Sequence, residues 1–537
     1  MKTIFKILFV FLFIASCKKE AKVVESSKSS SAIFLQDAVI DSYFIENPEN
    51  KNIISEVKLF YRNRAMQFAW FTKYGMTQAV PNFQNQLQNY SSDFDDNTLN
   101  IAQLDTLITV LKTNKNQQEI STAQQQNLEL LLTTTFFKYS QKAFSGINKN
   151  ARKLDWFIPR DKKNYQVMLD SLVLTDKNDK TYEPVNVYYS KLKEKLTLYR
   201  DIQKKGGFPK IDLKEEFLAK IETDCVLIAV KKRLFLTGDL KVEETNIMYT
   251  KTLADAISNF QQRVGLPENG QLNFKTIAEL NKTVDFRIKQ MLVNLERLRW
   301  VPVEIENDYL LVNIPEYKLH VFQNKKLIWE ANIVVGKEAK QTTIFKGSIS
   351  KIVLNPYWNV PKSIANEEIL PKLKRNRNYL VQNNMEALAD GKVLNSSNIN
   401  WNKFGSNIPY KIRQKPNAEN SLGKMKFLFP NSYSIYLHDT PAKELFDRSK
   451  RDFSHGCIRV ENPKKLAMHL LQNNKSWNEQ NIDKILKTNT ETEIEISPKI
   501  PVYIAYFTAW VDSKGNLNFR NDIYDLDEQL AKEIFKD

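Results

Sequence analysis

Residues 454–460 read Ser-His-Gly-Cys-Ile-Arg-Val (SHGCIRV), and residues 436–440, shortly upstream, read Tyr-Leu-His-Asp-Thr (YLHDT). The whole chain holds three Cys and four His among 537 residues, so two histidines, His438 and His455, beside one thiol, Cys457, form an unusual concentration of reactive groups. A reactive thiol needs an imidazole nearby to take its proton, and a backbone that leaves the sulfur accessible. The segment therefore predicts nucleophilic catalysis by Cys457.

The residues around this pair predict how the backbone presents it. Ile435 and Leu437 alternate with polar neighbours, which is typical of a strand that delivers His438 at its end. Gly456 has no Cβ and lets the chain pass close to a substrate. Asp439 follows His438 directly, so its side chain should point to the opposite face of the strand, and a backbone carbonyl is left to orient the imidazole.

The runs SHGCIRVENP and IYLHDTP closely resemble the active-site signature of the YkuD-type L,D-transpeptidases, cysteine enzymes that cross-link peptidoglycan. Further stretches are similar to the large YcbB-like branch of that family: LFYRNRAMQFAW, NIPEYKLHVF, VVGK, NPYWNVP and AYFTAWVDSKGNLNFRNDIYDLDEQL. One departure is Asn417, which stands after Pro416 where the family usually has Gly. The resemblance implies a peptidoglycan tetrapeptide stem as donor, release of its terminal D-Ala, a second stem as acceptor and sensitivity to carbapenems.

Acyl transfer assigns roles to the residues of both segments. Cys457 is the predicted nucleophile and His438 the group that takes the thiol proton and returns it to the leaving amine. His455 and Gly456 are expected beside the oxyanion, where backbone N–H groups would stabilise the negative charge. The residues expected to contact the substrate are Arg459, Tyr436 and Ser454. Arg459 could pair with a substrate carboxylate, and a structural salt bridge is the alternative for it.

Three other functions stay open at this point. Water in place of an amine would make the protein an L,D-carboxypeptidase with the same residues. His438, His455 and Cys457 could instead be metal ligands, although no further clustered Cys, His or paired carboxylate completes such a site, and no metal or cofactor is expected. The protein could also be a non-catalytic cell-wall anchor.

The length and charge of the chain limit its partners. A length of 537 residues favours three or four domains. The formal net charge of +16 comes from scattered Lys without a basic stripe, so a nucleic-acid partner is not expected, while an acidic cell wall or an anionic membrane surface fits equally well. A monomer is expected.

The N-terminus has the pattern of an export signal. A positive start, Met1 to Lys6, precedes the apolar run from Ile7 to Ile14, which is too short to span a bilayer permanently. The residues Ile14-Ala15-Ser16-Cys17 resemble a bacterial lipobox, which implies lipidation of Cys17, removal of residues 1–16 and a membrane-anchored lipoprotein of the bacterial periplasm. Residues 17–35 are Lys- and Ser-rich and predict a flexible tether.

The remaining patterns predict a multidomain α+β protein. The expected parts are a helical scaffold domain (36–205), a small helical peptidoglycan-binding-like module (206–285), a connecting amphipathic helix (286–301) and a mostly β catalytic domain (302–537) with a helical flap insertion at about 362–411. In the module, the second helix is expected to have a hydroxyl cap, and Cys225 in an apolar run is expected to be structural.

Overall fold

The computed structural model describes residues 32–99, 101–113, 121–147, 150–174, 184–212 and 225–535. The predicted signal peptide, Cys17 and most of the tether lie outside the described residues. The chain divides into two compact units, one made of Met1–Gln141 with Asn164–Tyr182, and the other of Lys142–Lys163 with Glu183–Asp537.

The first unit is helical, as its apolar spacing predicts. Its helices are α1 (Asp37–Glu46), α2 (Ile54–Asn63), α3 (Ala79–Phe94), α4 (Ile101–Thr113), α5 (Thr122–Ser140) and α6 (Tyr165–Leu174), with a short hairpin of β1 (Phe71–Thr72) and β2 (Gly75–Met76). Ser121 and Gln124 cap the start of α5 reciprocally. Trp70, Phe83 and Phe136 are buried together in the core, so this unit is held by aromatic packing.

In the described residues before β4, the second unit contains the strand β3 (Trp156–Phe157) and the α-helices α7 (Val187–Lys204), α8 (Val226–Leu236), α9 (Lys251–Arg263), α10 (Phe274–Leu280) and α11 (Val284–Arg299). Helices α8 to α10 share one hydrophobic core. The Thr250 hydroxyl caps α9, but α10 is capped by the Asn273 side-chain amide, so the prediction of a hydroxyl cap on the second helix is wrong. Cys225, which was predicted to be structural, is exposed at the start of α8 and does not lie in the hydrophobic core.

Helix α11 differs from the predicted amphipathic helix because Arg287, Glu296, Arg297 and Arg299 are buried along with its apolar residues, whereas Asp285 and Lys289 are exposed. Three ion pairs compensate that burial: Arg287 with Glu279, Arg297 with Asp527, and Arg299 with Glu296. Buried charges need such partners, because an unpaired ion in the interior is very costly. The periodicity therefore predicted the helix correctly, but the prediction that its polar face is exposed to solvent was wrong for these residues.

The C-terminal part of the chain is built on β-strands. They are β4 (Tyr309–Asn313), β5 (Lys318–Gln323), β6 (Lys326–Gly336), β7 (Ile344–Leu354), β8 (Trp358–Asn359), β9 (Met385–Ala389), β10 (Lys392–Leu394), β11 (Lys411–Gln414), β12 (Met425–Leu428), β13 (Leu437–His438), β14 (Asp452–Ser454), β15 (Ile458–Val460), β16 (Thr492–Ala505), β17 (Ala509–Val511) and β18 (Leu517–Phe519). The polar residues 324–326 predict a hairpin between β5 and β6, and the turn itself holds two residues, Asn324 and Lys325, both at positive φ.

The main sheet has the strand order β12-β13-β15-β6-β5-β4-β16-β7-β3. Strand β12 also pairs with β7, so the sheet closes on itself around a core of aliphatic side chains. Strand β3 comes from the segment predicted as helical scaffold and adds a parallel edge strand beside β7, pairing Trp156 with Ile344. Closure leaves β13 and β15 side by side in the sheet, which decides the position of both predicted catalytic residues.

The insertion at 362–411 contains the short helices α12 (Lys362–Ile364), α13 (Leu370–Arg375) and α14 (Tyr379–Gln382), with a π-helical turn at Ala365–Ile369. Its strands β9 and β10 join β11 and β8, which lie at the two ends of the insertion, in a four-stranded sheet of order β10-β9-β11-β8, and the insertion has a hydrophobic core; the sequence pattern predicts neither. The insertion is therefore a folded subdomain of mixed structure. Helices α15 (Pro463–Leu470), α16 (Glu479–Leu486) and α17 (Leu526–Ile534) complete the fold.

Candidate active site

The register of three neighbouring strands brings the predicted site residues onto one face of the sheet. Strand β13 is parallel to β15 and antiparallel to β12, and His438 stands opposite both Arg459 and Lys426. Residues opposite each other, and residues two apart on one strand, share a face. Tyr436 and Cys457, each two residues before a member of this set, therefore join the same face.

The His438 ring is fixed by the backbone. Its Nδ1 lies 2.5 Å from the carbonyl oxygen of Asp439, and because a carbonyl can only accept, Nδ1 carries the proton. The Nε2 lone pair is thereby left to act as a base. The Asp439 carboxylate instead accepts hydrogen bonds from the backbone N–H groups of Lys424 and Thr440 and pairs with Lys443.

Burial, reinforced by the positive charge of Arg459, lowers the pKa of His438 to about 3. The imidazole is only 4% exposed, so the charged form would lose nearly all of its hydration. His438 is consequently neutral at rest and available to accept a proton.

Cys457 is half-buried and directly precedes β15. Its S–H donates to the carbonyl oxygen of Ser434 at 3.6 Å. Burial raises the pKa of the thiol, while hydrogen bonds from the backbone N–H and hydroxyl of Tyr436, and the charges of Lys426 and Arg459, act in the opposite direction. The resting site is therefore a neutral thiol with a neutral imidazole, surrounded by groups that stabilise a thiolate once it forms.

Ser454 holds the turn that carries the nucleophile. Its hydroxyl donates to the carbonyl of Cys457 at 2.6 Å and accepts from the N–H of Gly456 at 3.1 Å. The Ser454 residue is only 3% exposed. Its position therefore fits support of the turn, and not the substrate contact expected from the sequence. Since the Gly456 N–H is already used, the Cys457 N–H, which has no hydrogen-bond partner among the described residues, is the better placed oxyanion donor.

Gly456 adopts a φ of +111°, a conformation that favours glycine. Its carbonyl accepts a hydrogen bond from the Thr342 hydroxyl at 2.9 Å, and the same hydroxyl accepts from the N–H of Gly336 at 2.9 Å. The Tyr524 hydroxyl donates to the Gly336 carbonyl at 2.5 Å. Thr342, Gly336 and Tyr524 thus support the catalytic turn from distant parts of the sequence, and sequence reasoning gave them no role.

His455 reaches away from the sheet towards the insertion. Its Nε2 lies 2.7 Å from Oε1 of Glu368, which belongs to the π-helical turn Ala365–Ile369. The neighbouring Glu367 pairs with Lys340 at 3.3 Å. No pattern in the sequence connects Glu368 with the catalytic segment, because the contact depends on how the insertion folds.

Arg459 and Tyr436 lie on the same face of the sheet as His438 and Cys457. The Nε of Arg459 is buried without a hydrogen-bond partner among the described residues, and burial lowers the pKa of its guanidinium. The Tyr436 ring lies 5.6 Å from the His438 ring and carries the Lys426 ammonium over its face at 4.0 Å. Lys426 was missed by sequence reasoning, and its place opposite His438 follows only from strand pairing.

Within the part of the chain that the structure describes, no group of three or more His, Cys, Asp or Glu side chains is placed to hold a metal ion. No helix in the described ranges is long and apolar enough to cross a membrane.

Comparison with known proteins identifies the family. A model of the YkuD L,D-transpeptidase catalytic domain matches residues 307–496, and a model of a scaffold domain matches residues 55–196. A protein from Haemophilus influenzae, provisionally named an L,D-transpeptidase, is 31% identical over 397 residues, which is 73% of each chain. The chain therefore belongs to the L,D-transpeptidase family, whose members act on peptidoglycan stem peptides.

Solved structures of L,D-transpeptidases from Stackebrandtia nassauensis and Xylanimonas cellulosilytica align at 12% identity, with TM-scores of 0.21 and 0.17. They cover 55% and 53% of this chain and 96% and 95% of their own. The Ldtfm–avibactam carbamoyl enzyme aligns at 12% identity and a TM-score of 0.17, over 38% of this chain and 51% of its own length.

Proposed function

We propose that this protein forms 3→3 cross-links in peptidoglycan through an acyl-enzyme on Cys457, with release of D-Ala. The observation that carries the proposal is the shared face of Cys457 and His438, with His438 Nδ1 engaged by the Asp439 carbonyl and its Nε2 left as a base. The neutral states of both groups give the pair a thiol proton to move and a base to receive it.

The first half-reaction is acylation. His438 Nε2 takes the proton of Cys457, and the sulfur attacks the carbonyl at the L-centre of meso-diaminopimelate in the donor stem. The Cys457 N–H stabilises the oxyanion. As the amide bond breaks, His438 gives its proton to the amine of the leaving D-Ala. The unpartnered Nε of Arg459 is available for a donor carboxylate, because a guanidinium binds that group in a bidentate manner.

The second half-reaction is transfer. The side-chain amine of a second stem attacks the thioester carbonyl, and the C–S bond breaks to release Cys457. If water attacks in its place, the same site trims the donor to a tripeptide and acts as an L,D-carboxypeptidase. Thiolate acylation would also account for inactivation by carbapenems.

Product analysis tests this function. The chain is incubated with purified disaccharide-tetrapeptide, and the products are separated and weighed by mass spectrometry. We expect dimers whose cross-link joins two diaminopimelate residues. Tripeptides alone would establish the carboxypeptidase. Loss of activity after chelation would favour the metal alternative, and retained activity in a Cys457→Ala variant would overturn the nucleophile assignment.

The protein is further proposed to work in the bacterial periplasm as a monomeric lipoprotein anchored through Cys17. The lipobox-like residues 14–17 and the Lys/Ser-rich segment after them support this placement. Incorporation of a labelled fatty acid that is lost in a Cys17→Ala variant would test the anchor.

The module at 206–285 is proposed to contact the glycan. It borders a cavity of about 1560 Å³ that Gln262, Leu266, Trp510 and Asn518 help to line. The combination of an aromatic surface and polar side chains suits a sugar chain, and the cavity is larger than most small-molecule sites. Reduced co-sedimentation of a Gln262→Ala variant, changed inside the module, with purified peptidoglycan would support this contact, and unchanged co-sedimentation would contradict it.

A further inference from the structure

His455 and Glu368 form a hydrogen-bonded pair beside the nucleophile. Their side chains meet at 2.7 Å between Nε2 and Oε1, and both remain partly exposed, at 34% and 44%. His455 lies two residues before Cys457, whereas Glu368 comes from the insertion. The pair thus places a second imidazole, with a carboxylate behind it, two residues before the thiol in the chain and partly open to an incoming molecule.

The pair also fixes which nitrogen of His455 is available. A carboxylate can only accept, so the proton of the neutral ring lies on Nε2. Nδ1 then carries a lone pair and can accept a proton. In this state the only N–H of the ring is donated to Glu368, which leaves stabilisation of the oxyanion to the backbone N–H of Cys457.

The transfer half-reaction needs such an acceptor. A primary alkyl amine resembles a Lys side chain, whose pKa is about 10.4, and therefore arrives mostly as an ammonium. It must lose one proton before it can attack the thioester and a second proton as the amide forms. His438 Nε2 can carry the second proton to the departing sulfur of Cys457. The first proton needs another base, and hydrolysis does not, because water arrives neutral.

We propose that His455 is that base and that Glu368 is its positioning residue; this rests on the proposed transpeptidase function. The acceptor ammonium gives one proton to His455 Nδ1, and the freed lone pair attacks the thioester carbonyl. The C–N bond forms, the C–S bond breaks, and the second proton passes through His438 to Cys457. The His455 imidazolium then returns its proton to solvent.

The test separates acylation from transfer in the full-length chain. Purified disaccharide-tetrapeptide serves as both donor and acceptor, and the ratio of dimer to tripeptide is measured by mass spectrometry. The rate of carbapenem acylation of Cys457 is measured in parallel. The variants are His455→Gln, Glu368→Gln and the conservative Glu368→Asp. Glu367→Gln is the matched control, because it removes the neighbouring ion pair to Lys340 without touching His455.

We expect Glu368→Gln to lower the dimer-to-tripeptide ratio about fivefold, the upper coupling of an exposed ion pair. His455→Gln should lower it by roughly 100-fold, as for loss of a general base. The rate of carbapenem acylation should stay within about twofold of the rate of the unmodified chain in every variant, as for surface substitutions that leave the fold intact. Glu368→Asp should recover part of the ratio, and Glu367→Gln should leave it unchanged.

Several results would overturn the roles proposed for His455 and Glu368. One is an unchanged dimer-to-tripeptide ratio in Glu368→Gln. Another is an equal fall of this ratio in Glu367→Gln, because it would show that the insertion only needs to be held in place. A parallel loss of acylation and transfer would indicate a structural role. If the unmodified chain forms no carbapenem adduct, the proposed function itself fails. If it forms the adduct but yields only tripeptides, acylation stands and the roles proposed for His455 and Glu368 are refuted.

Discussion

Replacement of Ser454 by Ala tests how much the catalytic turn depends on one hydroxyl. The change removes the hydrogen bond to the Cys457 carbonyl at 2.6 Å and the one from the Gly456 N–H at 3.1 Å. Ser454 is 3% exposed, so water has little access to replace either bond. A buried backbone group left without a partner costs about 1–3 kcal/mol.

For two such groups the lower bound is about 2 kcal/mol, which corresponds to roughly a 30-fold change in an equilibrium constant. If the turn must be ordered for attack, Ser454→Ala should slow acylation by about that factor, because most molecules would hold Cys457 out of position. Ser454→Thr keeps the hydroxyl and serves as the matched control.

The assay is the rate of carbapenem acylation, followed by intact mass spectrometry, together with the thermal unfolding midpoint of each variant. The expected pattern is slow acylation in Ser454→Ala on folded protein and a near-native rate in Ser454→Thr. An acylation rate of Ser454→Ala within about twofold of the unmodified chain, the range of surface substitutions, would refute the role given to this hydroxyl.

Gly336→Ala should lower the free energy of unfolding by about 1–3 kcal/mol in chemical denaturation, because the new Cβ would lie 2.1 Å from a backbone oxygen. Gly405→Ala, whose Cβ would meet nothing within 4 Å, should leave it unchanged. Equal effects of the two substitutions would contradict the steric explanation. The acylation rate should be nearly flat between about pH 5 and 8, since burial lowers the pKa of His438 to about 3 and raises the pKa of the Cys457 thiol above its ordinary value. A tenfold rise per pH unit would contradict base catalysis by a neutral imidazole. Arg459→Lys should lower kcat/KM for the tetrapeptide donor about tenfold through loss of a charge-assisted hydrogen bond, and an unchanged value would exclude the carboxylate contact.

Local patterns predicted those parts of the fold that depend on neighbouring residues. The alternation before His438 corresponds to β13, and the polar pair at 324–325 forms the hairpin between β5 and β6. The Asn-Pro pair at 462–463 starts α15, with Leu466 and Ala467 buried as the spacing predicts. Each of these depends on backbone preferences or on the periodicity of a single element.

The parts that the sequence did not predict depend on long-range contacts. Arg287 and Arg297 of α11 are buried against carboxylates from other segments of the chain, Glu279 and Asp527. The periodicity of a single helix does not show such partners. Ser454 makes two hydrogen bonds within the turn. The sequence pattern does not show them, because they depend on the local path of the backbone. Glu368 reaches His455 only because the insertion folds over this turn.

The most direct test of the central claim is intact mass spectrometry of the chain without its first 17 residues after incubation with a carbapenem, with Cys457→Ala in parallel. We expect a mass increase of one carbapenem on the unmodified chain and no increase in the variant, since Cys457 is the proposed nucleophile. The same adduct on Cys457→Ala, or no adduct on a correctly folded unmodified chain, would contradict the central claim.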